Sequence, residues 1–286
     1  MKAAPKNDWF VDLILDNPML IEIRRFRRKY VSTRGTGFAG FLLFMVAYGL
    51  LVTVQLRWPQ GMSPGVVLMI ELGLFCFLVP TLIHGAIAGE RERRSWDFLL
   101  VAPVTRAQVV VGKFMGSAWG IVLASGLFLV PLTISLVAES FPSPYGYYGV
   151  QRHTSLHDAF LGVLVVVTFA LMIAALTLFF SARCKRPLMA LGASLGLIAI
   201  GLIAFPILVA PMMTRETELI MYFHPFYVLF QLAERWGGPE QFDRAIWGWP
   251  QVFVYAGMTI VLLIWTERTL GFAENEVKFV GGRKDA

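Results

Sequence analysis

Six long apolar runs, separated by segments that carry most of the charge, set the pattern of this chain: Thr36 to Leu56, Val66 to Gly89, Val109 to Ala138, Ala159 to Ala182, Leu188 to Met213 and Trp247 to Thr266. Each supplies the roughly 20 apolar residues that a helix needs to cross about 30 Å of bilayer hydrocarbon. The pattern therefore predicts an all-α membrane protein with six transmembrane helices. Charge inside the runs is limited to Glu71 and Lys113, and Lys113 lies near enough to an end for its long side chain to reach the headgroups. Pro131, Pro206 and Pro211 fall within the third and fifth runs and predict kinks or breaks there.

Ahead of the first run the pattern changes from continuous to periodic. Asn17-Pro18 is a good helix start, because Asn can cap free N–H groups and Pro suits the first helical position. Met19, Ile23, Phe26 and Tyr30 then recur at helical spacing, with Arg24, Arg27 and Arg28 elsewhere around the axis. This predicts an N-terminal amphipathic helix lying in the membrane interface, either as a plain anchor or as a lever beside a partner protein. The expected division is an amphipathic cytoplasmic segment over residues 1–35, a six-span domain over 36–270 and a cytoplasmic tail over 271–286.

Composition agrees with the pattern. Of the 286 residues 57% are apolar and 15% charged, against about 45–50% and 25% in soluble domains. Basic residues settle the orientation: 20 of the 25 Lys and Arg fall before the first run, around the second loop, in Arg183 to Arg186 or after Trp265. The alternate segments hold Arg57, Arg152, Arg215, Arg235 and Arg244. Because basic residues beside spans stay in the cytoplasm, both termini are expected inside, in a cell (inner) membrane. The net charge of +6 then reflects topology and anionic lipid rather than nucleic acid. Residues before Thr36 mix acidic, basic and apolar types and do not read as a cleavable signal. The cysteines, Cys76 in a span and Cys184 on the cytoplasmic side, do not suggest a disulfide framework.

The loop between the second and third runs, GERERRSWDFLLVAPVTRAQVVVGK from Gly89 to Lys113, is the most informative segment. A mixed-charge cluster, Glu90 to Arg94, is followed by Trp96, Phe98, Leu99, Leu100 and Val101, an apolar patch where a solvated loop is expected. Ser95 can cap a short helix ending before Pro103, and Thr105 with Gln108 makes a capping box for the next long helix. On physics alone the patch could lie flat among lipid headgroups or be covered by another protein.

The segment resembles the signature loop of the type-2 ABC transporter permeases, the membrane subunits of ABC exporters. Their pattern is matched here by Glu90, Arg91, Glu92, Ser95, Asp97, Leu99, Leu100, Pro103, Thr105, Arg106, Gly112 and Lys113. The resemblance extends to the six-span plan, the amphipathic helix before it, and Tyr222 to Tyr227, which is similar to the family's Asn/Ser-Pro-Phe element. Arg94 stands where the family often has Gly, and His224 where it often has Asn or Ser. The Asn17-Pro18 to Arg28 opening is loosely like permeases of the multicopper-enzyme-maturation type; the substrate itself is not readable.

The resemblance implies a permease that pairs with a second copy or homologue and docks separate ATPase subunits through the 90–108 loop, which forms a cytoplasmic coupling helix. Glu90, Arg91, Glu92, Arg94, Trp96, Asp97, Leu99, Leu100, Pro103 and Arg106 are the implied ATPase-coupling residues, and His224, Pro225 and Phe226 belong to the implied outer gate. The chain has no GxxxxGK[ST] phosphate loop, so ATP and Mg are expected on the partner and no cofactor or catalytic group on this chain. Glu71, expected near the outer end of its span and within reach of water, is a substrate-path candidate. His84, thirteen residues on, lies about 140° around and about 20 Å along the helix, too far to share a site. Other classes are a secondary transporter or channel not coupled to ATP, for which no paired broken spans occur, and a membrane enzyme. The latter would need a constellation such as HExxH or paired carboxylates within the spans, and the sequence has neither.

Overall fold

The computed structural model describes residues 17, 35–57, 62–92, 104–139, 155–209, 223–234 and 248–281, and the elements among them are helical. They are α1 (Gly35–Arg57), α2 (Pro64–Ile83), α3 (Ala88–Glu92), α4 (Arg106–Glu139), α5 (Leu156–Arg183), α6 (Pro187–Ala199), a π segment (Ile200–Ala204), α7 (Phe205–Val209), α8 (Pro225–Glu234) and α9 (Trp249–Gly281). Apart from Asn17 and Gly35, the predicted amphipathic segment over residues 1–35 lies outside the described residues, as do Pro211 and the stretch 93–103.

Among the described residues five helical stretches are long and apolar enough to cross a bilayer: Pro64–Glu92, Arg106–Ala138, Leu156–Arg183, Pro187–Leu208 and Trp249–Leu270. The first predicted run coincides with α1, helical over 23 residues. Helix starts follow the local chemistry. Ser63 and Ser155 turn their hydroxyls onto the N–H groups of Val66 and Asp158 at 3.4 and 3.1 Å, and Pro64 and Pro187 occupy first-turn positions where a missing N–H costs nothing. Gly248, at φ +91°, takes the left-handed turn into α9 with Leu161 3.5 Å from where a Cβ would stand.

At the centre is α5, which packs against α9, α2, α6, α4 and α8. Gly162, Ala170, Ala174 and Ala175 are buried along it, and such small residues let neighbouring helices approach closely in a membrane. Leu68, Leu72, Phe75, Val79, Ile173, Leu178 and Leu229 fill the core they leave. The outside is also apolar: Leu50, Trp119, Leu129, Ile203, Phe253 and Ile260 are exposed. Leaving such side chains in water forfeits about 1.5–3 kcal/mol each, whereas acyl chains impose no such cost.

Two predicted ends move. The second run was expected to continue to Gly89, but α2 stops at Ile83 and turns before α3. Ser181 on α5 holds that turn, accepting from the Ile87 and Ala88 N–H groups at 3.0 Å and donating to the His84 carbonyl at 2.7 Å. The last helix runs past Thr266 to Gly281, because Glu, Arg, Leu, Ala and Lys there are good helix formers outside the hydrocarbon as well as within it.

Pro131 bends no gap into α4 that goes unfilled. A proline cannot donate to the carbonyl four residues earlier, here Leu127, and the Tyr48 hydroxyl of α1 donates to that oxygen at 2.9 Å. One turn on, the Gln55 amide donates to the Pro131 carbonyl at 2.6 Å and to the Ser135 hydroxyl. Thus α1 is fastened to α4 at its proline.

Candidate functional site

The motif between Glu90 and Lys113 begins and ends at one point in space. Lys113 Nζ lies 2.6 Å from Glu90 Oε1 and donates to the Ala86 carbonyl at 2.6 Å. Its side chain is 9% exposed, so the expected reach towards headgroups gives way to a contact inside the protein. Arg91 crosses the other way, donating from Nη1 to the Ala182 carbonyl at the end of α5 at 2.5 Å. Glu92 and Arg106 are exposed, on either side of the segment 93–103.

The far end of the loop is capped as its sequence predicts. Thr105 N–H donates to Gln108 Oε1 at 2.9 Å and Gln108 N–H donates to Thr105 Oγ1 at 3.2 Å, a reciprocal capping box that starts α4. Asn17, fully buried, donates from Nδ2 to the Gln108 carbonyl at 2.9 Å, which brings Asn17 to the start of α4. Four of the predicted coupling residues are placed, Glu90, Arg91, Glu92 and Arg106; Arg94, Trp96, Asp97, Leu99, Leu100 and Pro103 lie outside the described residues. Sequence reasoning missed Ser181, a common residue on an apolar helix whose role appears only when α5 meets the turn before α3.

A second group gathers at the opposite end of the helices. A short helix follows His224, α8. Its Pro225, Val228 and Leu229 are buried, and it packs on α2 and α5. His224 precedes it, with Nδ1 accepting from the Tyr227 N–H at 3.3 Å, the place an Asn or Ser cap would fill. Phe226 packs partly buried against the core. Behind His224, α5, α6 and α9 line a partly open apolar cavity of about 570 Å³, whose walls include Phe169, Leu202, Tyr255, Met258 and Trp265.

Glu71 does not reach water. It is 1% exposed and accepts a hydrogen bond from the Ser125 hydroxyl of α4 at 2.6 Å, because the outer part of α2 is covered by its neighbours. It does not line the cavity beside His224. His84 is half-buried, with its Nδ1 2.8 Å from the Thr81 carbonyl one turn back. Among the described residues no cluster of His, Cys, Asp and Glu could hold a metal.

Comparison with known proteins gives a family match. Residues 70–267 match the family described as ABC-2 family transporter protein. The chain is also similar to the ABC transporter permease protein NatB of Bacillus subtilis (strain 168), with 32% identity over 138 residues. That similarity takes in 45% of this chain and 35% of the relative's length.

Proposed function

Because the chain belongs to the ABC-2 family of transporter proteins, we propose that it is the membrane-spanning permease subunit of an ATP-driven exporter. In this reading α1 is the sixth span and both termini are cytoplasmic in the cell membrane. Two permeases, identical or related, form the substrate path, and separate ATPase subunits carrying ATP and Mg dock under the 90–108 loop.

The observation that carries the reading is the closure of that loop by Glu90 and Lys113. A free loop would absorb a push from a docked protein by bending. This one is tied at its base to three helices at once, through Lys113 to the turn after α2, through Arg91 to α5 and through the capping box to α4. Displacement of the segment between the ties therefore moves the spans. The flanking charges Glu92 and Arg106, exposed on either side, suit the rim of a protein interface, where charge sets partner choice more than affinity.

The work of hydrolysis falls to the partner. The test is to purify the full chain alone and with a co-expressed ABC ATPase, and to measure ATP turnover of each. Turnover is expected from the complex and not from the single chain. Robust turnover by the purified chain without a partner contradicts the assignment.

A further inference from the structure

The fifth span is interrupted where it meets the outer helix. Ile200–Ala204 wind as a π segment in which the Phe205 N–H returns to the Ile200 carbonyl, and Pro206 follows directly. π insertions of this kind recur at functional positions in helices. Having no N–H, Pro206 leaves the carbonyl four residues back, that of Leu202, without its helical donor. His224 supplies the replacement, with Nε2 3.2 Å from the Leu202 oxygen. Its other ring nitrogen accepts from the Tyr227 N–H, one of the open donors at the start of α8. A ring that donates from Nε2 and accepts at Nδ1 is neutral, with its proton on Nε2. On the other flank the Tyr255 hydroxyl of α9 donates to the Phe223 carbonyl at 2.7 Å.

We propose that His224 is a positioning residue for export, a proton-sensitive latch that holds α8 against the proline-broken fifth span and closes the outer mouth of the cavity between α5, α6 and α9. The gating role rests on the permease reading; the latch itself rests on the two hydrogen bonds. A second proton on the ring would occupy Nδ1, removing the acceptor for Tyr227 and with it the tie between α8 and the π segment. The Leu202 carbonyl favours the charged form, but among the described residues no carboxylate pairs with the ring. Phe226 and Tyr227 meet it from α8 and Leu202 from the π segment; Phe169 of α5 and Tyr255 and Met258 of α9 line the same cavity, and on α2, which α8 also packs against, the acidic residue is Glu71, engaged by Ser125. The cavity wall, among the described residues, holds no Asp, Glu, Lys or Arg.

Burial accordingly pushes the His224 pKa below its usual value, with the bond to Leu202 opposing. The closed latch thus binds fewer protons than a released, hydrated ring. It is at full strength above about pH 6.5, the ordinary histidine value, and weakens as pH falls from there towards the lower pKa of the latched ring.

The experiment uses the full chain, labelled with ¹⁵N-histidine, in lipid nanodiscs, with His224→Asn identifying the His224 signal. At about pH 8 the ring should show a bare Nδ1 and a protonated Nε2, passing to the doubly protonated form below about pH 6.5. Over the same interval the hydrogen-exchange protection of the first turn of α8, normalised to intrinsic exchange, should fall by roughly tenfold for each unit by which the pKa is lowered. His224→Asn can still cap α8 but cannot titrate, so its protection should stay flat. A proton on Nδ1 at high pH, or the same loss of protection in His224→Asn, overturns the latch. ATP turnover with the partner, measured separately, bears on the permease reading and leaves the latch result standing or falling by itself.

Discussion

Lys113 shows how a single charge inside a membrane protein is decided by what it can touch. Its Nζ has a carboxylate and a backbone carbonyl at 2.6 Å and little contact with solvent. Lys113→Met should therefore remove two charge-assisted hydrogen bonds and leave Glu90 half-buried beside a methyl group, a loss of about 1–3 kcal/mol. Adding Glu90→Gln to Lys113→Met should recover part of that loss, since the remaining group is then neutral. Thermal unfolding of the four proteins in detergent gives the coupling energy; strictly additive losses would show that the pair contributes nothing. The sequence exposed both residues as the first and last charges of one motif, but not that they meet. It also suggested that Glu71 would reach water, and here burial decided otherwise: Ser125 lies 54 positions away and no local pattern announces the contact.

At the scale of elements, prolines were legible and their partners were not. Pro131 and Pro206 each predict a freed carbonyl, which follows from the missing N–H and needs no structure. Which side chain meets it is a matter of packing between distant segments: Tyr48 of α1 for Leu127, His224 for Leu202. The Thr105–Gln108 capping box was readable because both halves lie within one turn, whereas the ends of α2 and α9 were not, being set by Ser181 in one case and by continuing helix propensity in the other. The attachment of α1 gives a direct check. Tyr48→Phe with Gln55→Leu leaves the apolar character of α1 intact while stripping its donors to α4. Interhelical hydrogen bonds in membranes are worth about 0.6 kcal/mol each on average, so the double variant should insert normally but unfold at a lower temperature. A distance between spin labels on α1 and α4 should broaden. An unchanged distance distribution and an unchanged midpoint would mean that apolar packing alone holds α1 in place.

For the whole molecule, the helical membrane architecture was written in the spacing of apolar runs, because hydrocarbon thickness is a fixed length that any spanning helix must match. The proposed division of labour rests on the loop chemistry, where the sequence places Trp96, Leu99 and Leu100 as an apolar patch beside charges. The structure adds how that loop is fastened to α2, α4 and α5, which makes it a point of force transfer in the proposed exporter. The most direct test of that account is pull-down of the co-expressed ATPase from detergent extracts, with its turnover, for wild type, Leu99→Asp and Glu92→Lys at matched membrane expression. Leu99→Asp places an unpaired charge in a dry interface and should cost several kcal/mol of partner affinity, about a thousandfold or more, while Glu92→Lys, on an exposed rim, should cost about 0–1 kcal/mol. Loss of capture and of stimulated turnover in Leu99→Asp, with normal insertion, is the predicted result. Capture and stimulation equal to wild type would contradict it and make the 90–108 loop a lipid-facing anchor.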